Sequence, residues 1–147
     1  MPTKLRFNIA SPLTKARPTD SSRLFPADEA ATALRGDRLY FSAVWEIKGS
    51  PSCMGIHSRV TLEGALAPYA EIYEVDSVPV RLPHYRSDFD ADYVGHEPGL
   101  YPDVLRPTNT VYVQEGITGQ LYFEISVPED FTPGTYPLTV TLTPEEG

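Results

Sequence analysis

Cysteine is almost missing from this chain. Cys53 stands alone, so no intrachain disulfide can form and no thiolate zinc cluster can be assembled within one molecule. Free cysteine behaves as a small hydrophobe, which makes Cys53 an expected buried structural thiol. A nucleophilic role would need an electropositive neighbourhood, and only His57 is close to it in sequence. Basic residues are also in short supply. Twelve Lys+Arg face 20 Asp+Glu, a net charge of −8, and that balance argues against nucleic acid as a partner. No segment approaches the ~18–20 consecutive apolar residues of a membrane span, and the opening MPTKLRFNIASPL lacks the continuous apolar stretch of a signal peptide. No membrane partner is expected. The compartment stays open: cytoplasmic, or extracellular or periplasmic if a leader has been removed.

Catalytic signatures are missing too. The chain has no nucleophile elbow GxSxG and no phosphate-cradling GxGxxG or GxxxxGK[ST]. His57, His84 and His96 are 27 and 12 positions apart, so none supplies the local spacing that seeds a zinc site. Glycosidase chemistry needs two carboxylates about 5–9.5 Å apart. With 20 acids some such pair arises by chance, so Glu97 and Asp103 carry no specific signal. Asp103, beside Pro102, reads as a turn former.

What the chain does have is alternation and punctuation. Fifteen prolines and ten glycines fall mostly between short apolar runs, the pattern of many strands joined by turns. Leu5, Phe7 and Ile9 alternate with polar residues and predict a first strand ended by Ser11-Pro12, followed by loop to about Asp20. The stretch ADEAATAL, residues 27–34, is the one segment that reads as helix, with Asp28 and Glu29 suited to its positive end. In RLYFSAVWEI, Leu39, Phe41, Ala43, Trp45 and Ile47 share one face and Arg38, Tyr40, Ser42, Val44 and Glu46 the other, which predicts a core strand. Ser58, Val60 and Leu62 mark another. Residues 71–75 and 78–82 read as an extended pair, with Pro79 demoting the second piece to an edge strand or a bulge.

Residues 83–107 show no convincing periodicity and are expected to form a long loop, of the kind that is functional or packs against another domain. Residues 111–114 are extended again. LYFEISVPEDFTPGTYPLTVTLT then closes the chain with two alternating runs. Leu121, Phe123, Ile125 and Val127 share one face, and Tyr136, Leu138, Val140 and Leu142 share one in the second run. Read as a hairpin, this pair is wet on one side and greasy on the other, and a second sheet must cover the greasy side. The expected architecture is all-β: one antiparallel β-sandwich of about eight strands over residues 1–147, immunoglobulin-like or jelly-roll-like, with little helix.

Two constellations could hold a ligand. Asp88, Asp90 and Asp92 have the opening spacing of a calcium loop, but Tyr93 stands where an EF-hand needs Gly and Gly99 where it needs Glu. Calcium is therefore a weak candidate, and no cofactor is expected. Trp45 shares a face with Leu39 and Phe41 and belongs to the core. Tyr69, Tyr73, Tyr85, Tyr93 and Tyr101 are the better candidates for an exposed aromatic surface.

Three segments also carry a family likeness: ALRGDRLYFSAVW, EPGLYPDVLRP and LYFEISVPEDFTPGTYPLTVTL, in this order between Ala33 and Leu142. The middle segment contributes Pro98, Gly99, Tyr101, Pro102, Asp103 and Leu105. The closing one contributes Val127, Pro128, Pro133, Gly134, Thr135 and Tyr136. Together they resemble the N-terminal β-sandwich domain of large glycoside hydrolases, the family 123-like group and its uncharacterised relatives. The resemblance implies that the catalytic carboxylates sit on a following barrel domain, and that this domain is a non-catalytic accessory packed on that barrel. The chain closing at Glu146-Gly147 just beyond its last strand suits a domain cut from a longer protein. The expected partner is the downstream catalytic domain of the same polypeptide, with Tyr101, Pro102 and Asp103 at the centre of the contact. An alternative is a carbohydrate-binding module in which Tyr85, Tyr93 and Tyr101 stack on sugar; an adhesion or structural module is a further one, and a stand-alone enzyme the remotest.

Overall fold

The computed structural model describes residues 5–19, 31–50, 53–81 and 97–145. Eight strands run through them: β1 Leu5–Ala10, β2 Arg38–Ile47, β3 Gly55–Glu63, β4 Ala70–Val80, β5 Gly99–Pro107, β6 Thr110–Gln114, β7 Thr118–Ser126 and β8 Thr139–Pro144. They form two antiparallel sheets, of five strands in the order β1-β2-β7-β4-β5 and of three in the order β6-β3-β8. The β-sandwich expected from the alternation is the observed fold.

The alternating apolar residues meet between the sheets. Ala43 and Trp45 from β2, Leu121 and Phe123 from β7, Val60 from β3, and Val111 and Val113 from β6 form one buried cluster. Phe41 stacks on Phe123 with ring centroids 4.5 Å apart. Trp45 is 2% exposed and pairs in register with Gly119. A Cβ at position 119 would come within 2.1 Å of the indole, so only glycine leaves room for the ring to lie flat on the neighbouring strand. Burying one large apolar side chain of this kind contributes about 1.5–3 kcal/mol.

The closing pair of runs is not a hairpin. β7 hydrogen-bonds to β2 and β4, whereas β8 pairs with β3 in the other sheet. Both greasy faces point at the same core, but from opposite sides of it. Residues 127–138 carry the chain across, too long a link for a tight hairpin turn. Pro137 cannot donate to a ladder, so the second run becomes strand only at Thr139. The crossing is fastened by its own side chains: Tyr136 donates to the Thr132 carbonyl at 2.7 Å and its ring meets Phe131 edge-on at 5.0 Å.

Further expectations change. The extended pair after residue 70 is one strand, β4, whose register against β5 shifts between Asp76 and Ser77. Pro79 falls where β4 pairs with β5 alone, a position that tolerates a residue without an N–H. The long loop is also shorter than expected, because residues 99–107 are strand β5. Asp76 pairs with Val104 and Ser77 with Pro102, so Asp103 is the extra residue of a β-bulge rather than a turn former. The bulge breaks the period of two, and Pro102 and Pro107 hid what remained. Of the expected helix, residues 27–30 lie outside the described residues and residues 31–34 are irregular. Cys53 is exposed, not buried: it lies just before β3, outside the strands.

Candidate functional site

A strap over the outer face of the larger sheet organises this side of the molecule. Residues 11–18 leave β1 and lie across β2 and β7, where Ala10, Ala16 and Val44 make a second small buried cluster. Gln120 pins the strap. Its Nε2 donates to the Thr14 carbonyl at 2.8 Å and to Ser42 Oγ at 3.1 Å, and its Oε1 accepts from the Ala16 N–H at 3.1 Å. Ser42 and Gln120, expected on a wet face, are thereby buried. Further along, Lys15 Nζ donates to the Pro102 carbonyl at 3.3 Å and Arg17 Nε to the Leu100 carbonyl at 3.3 Å, so the strap also holds β5.

Among the described residues strand β5 ends the five-stranded sheet, and it shows aliphatic side chains to solvent on both of its faces, Leu100 and Leu105 on one and Val104 on the other. Leu100, Val104 and Leu105 are 46%, 47% and 44% exposed, with Val80 of β4 beside them. Tyr101, Pro102 and Asp103 sit in the middle of this strand. Pro102 is buried and Asp103 exposed. One face of the Tyr101 ring is taken by the Arg17 guanidinium 4.5 Å above it, and its hydroxyl donates to the Glu97 carbonyl at 2.6 Å. Tyr101 is therefore fixed in place with one ring face already occupied.

Where β4 and β7 part, after the pair Glu74 and Leu121, a cleft of about 260 Å³ opens beside Trp45, Gly119, Glu74 and Asp76. Arg106 bonds both Glu74 and Asp76, and these two hold its guanidinium firmly protonated. Glu74 still titrates above the ordinary carboxylate range, because burial outweighs the pull of Arg106 and Asp76 adds repulsion. Both acids are thus committed to one guanidinium.

The half of the outer face that the strap leaves uncovered among the described residues carries tyrosines. Tyr122 of β7 lies opposite Tyr73 of β4 in register. Tyr40 of β2 stands diagonally across, its ring centroid 5.9 Å from that of Tyr122 with 34° between planes. Glu124 is opposite both Tyr40 and Glu71, and Arg38 pairs with it at 3.3 Å. Tyr73 donates a hydrogen bond to Glu71, which with partial burial pushes the Tyr73 hydroxyl up to about 12. Burial, then Tyr40 and Glu124, raise Tyr122. Tyr40 and Glu124 likewise keep Arg38 charged.

Of the expected aromatic candidates, Tyr85 and Tyr93 lie outside the described residues, as do His84, His96 and the calcium candidates Asp88, Asp90 and Asp92. Among the described residues, no group of three or more His, Cys, Asp or Glu is placed to hold a metal ion. His57 is exposed and packs on Tyr112. Tyr69 meets Phe131 edge-on at 6.0 Å, leaving Tyr73 as the member of the expected set that joins a tyrosine row. Its partners Tyr40 and Tyr122 went unmarked, although both stand on the polar face of their strands; a bulky aromatic at a solvent-facing strand position is the signal that finds them.

No protein-family model matches this chain, and no curated protein matches it in sequence. Its fold is similar to that of a solved family 123 glycoside hydrolase from Clostridium perfringens, described in a structural analysis of glycolipid glycan hydrolysis. The TM-score is 0.70 at 17% identity, over 98% of this chain and 25% of that one. The chain thus spans about a quarter of the length of that enzyme, and at this identity the two share a fold. The sandwich expected from the family likeness is a fold found within a family 123 glycoside hydrolase.

Proposed function

We propose that this chain is a non-catalytic accessory domain of a glycoside hydrolase, docked on a catalytic domain through the β5 edge. The observation that carries the reading is the exposure of Leu100, Val104 and Leu105, which bares aliphatic surface on both faces of the edge strand. Aliphatic side chains on an edge strand are left bare where a neighbouring surface covers them. The likeness to one quarter of a glycoside hydrolase supports the same reading, since most of that enzyme lies outside the shared fold.

The strap prepares the surface. By bonding the carbonyls of Leu100 and Pro102, Arg17 and Lys15 hold β5 in one shape before any partner arrives, which lowers the ordering cost of docking. Pro102 and Pro107 act in the same direction by restricting the strand backbone.

The test is to mix the purified chain with the catalytic part of the polypeptide encoded by the same reading frame and measure association by calorimetry. Val104→Asp combined with Leu105→Asp is expected to abolish association while the isolated chain keeps its melting temperature. A reading frame with no catalytic domain beside this chain overturns the proposal. So does association that survives the double variant.

A further inference from the structure

The strap divides the outer face of the larger sheet into a sealed half and an open one, and the open half is built unlike the β5 edge. Its centre holds Tyr40, Tyr122 and Tyr73 on three successive strands, flanked by Glu124, Glu71 and Arg38. Pro107 of β5 extends the row, lying opposite Tyr73 in register. The Tyr40 and Tyr122 ring centroids are 5.9 Å apart, a separation of the order of one pyranose unit along an extended glycan, and Tyr73 continues the row one strand further on.

The chemistry fits a sugar. Aromatic faces attract the weakly positive C–H face of a pyranose, while the hydroxyls around its rim need fixed acceptors and donors. Glu124 and Glu71 supply acceptors and Arg38 a donor. All three are already held: Glu124 by Arg38 at 3.3 Å and Glu71 by the Tyr73 hydroxyl. A ligand would find them in place, with little side-chain freedom left to lose. Charge narrows the class. Two carboxylates against one guanidinium, on a chain of net charge −8, repel uronates and sulfated sugars.

We infer that the row Tyr40, Tyr122 and Tyr73 is a binding surface for a neutral glycan chain, with pyranose faces on Tyr40 and Tyr122 and hydroxyls bonded by Glu124, Glu71 and Arg38. The inference stands apart from docking through β5 and does not rest on it.

Affinity electrophoresis of the whole chain tests it, through gels containing galactomannan, mixed-linkage β-glucan, xylan or glycogen as neutral probes and polygalacturonate as the anionic one. Retardation is expected in at least one neutral gel and none in polygalacturonate. Tyr40→Ala and Tyr122→Ala should each weaken that retardation roughly tenfold or more, as central aromatic contacts do. Tyr40→Phe keeps the ring face and should bind nearly as well as the parent, which separates loss of stacking from loss of folding. Free migration in every neutral gel overturns the inference. Equal retardation by polygalacturonate, or retardation unchanged in both alanine variants, does the same. Alanine variants that lose association with the catalytic domain, yet keep their retardation by the glycan, assign the row to the docking surface instead. Failure of the β5 variants leaves these gels unaffected, so the two readings fall separately.

Discussion

Strands β7 and β5 are both nine residues long and both carry aliphatic residues, yet they meet opposite fates. In β7, Leu121, Phe123 and Ile125 are completely buried; in β5, Leu100, Val104 and Leu105 are nearly half exposed. Position in the sheet makes the difference. β7 lies between β2 and β4, under the second sheet on one face and partly under the strap on the other. Among the described residues β5 has a neighbour on one side only. The same residue type is thus a source of stability in one strand and an available contact in the other, and hydrophobicity alone does not say which.

The sharpest way to break that comparison is to truncate one side chain in each strand. Phe123→Ala is expected to cost the isolated chain about 3–5 kcal/mol, as for other buried aromatic truncations. Leu105→Ala should cost less than about 0.5 kcal/mol. Urea unfolding of both variants measures the gap, and comparable losses would mean that β5 is packed after all.

A second substitution asks whether the strap belongs with the buried side of the comparison. Gln120→Leu keeps the bulk but strands the Ala16 N–H and the Thr14 carbonyl, beneath a strap where the buried Thr14 hydroxyl already has no partner among the described residues. Leaving such groups unpaired costs about 1–3 kcal/mol. Hydrogen exchange at Ala16 should speed up in this variant before exchange in the core does, and uniform acceleration would show that the strap does not open by itself.

The smallest effect concerns Glu74, at the border between covered and open β4. Its carboxyl titrates above the ordinary value of 4.5 because burial outweighs Arg106. The folded state therefore holds its proton longer than the unfolded chain does, so stability from this group is full below pH ~4.5 and is lost as pH rises through the folded value. Glu74→Gln removes that loss. Its melting temperature relative to the parent should be flat below about pH 4 and climb as pH rises toward neutrality. A relative melting temperature that falls over the same range would show that the bond to Arg106 prevails over burial.

Much of the fold was legible because exposure on one face imposes a period of two. The alternation of residue types survives in Gly55–Glu63 and in Arg38–Ile47, although in the latter the strap buries the second face over residues 42–45. What the pattern could not reveal is pairing. The closing runs alternate as a hairpin would, and nothing local distinguishes strands of one sheet from strands of two sheets facing one core. β5 was illegible for a different reason: a bulge at Asp103 shifts the phase halfway along, and Pro102 argues for loop to anyone reading residues singly. The candidate surface was half visible. Tyr73 stood among the aromatic candidates, but its union with Tyr40 and Tyr122 depends on strand order, which is a tertiary fact.

The pairing of β8 with β3 carries a consequence for biosynthesis. Val60 meets Leu142 in that ladder, some eighty positions further on, so the smaller sheet remains a two-stranded ribbon until nearly all of the described chain has left the ribosome. Until then its apolar face has no third strand to complete it, and such unfinished edges are the points at which nascent chains associate wrongly. Non-local closure of this kind also slows folding, so the synthesis of β8 sets the moment at which the smaller sheet can be completed.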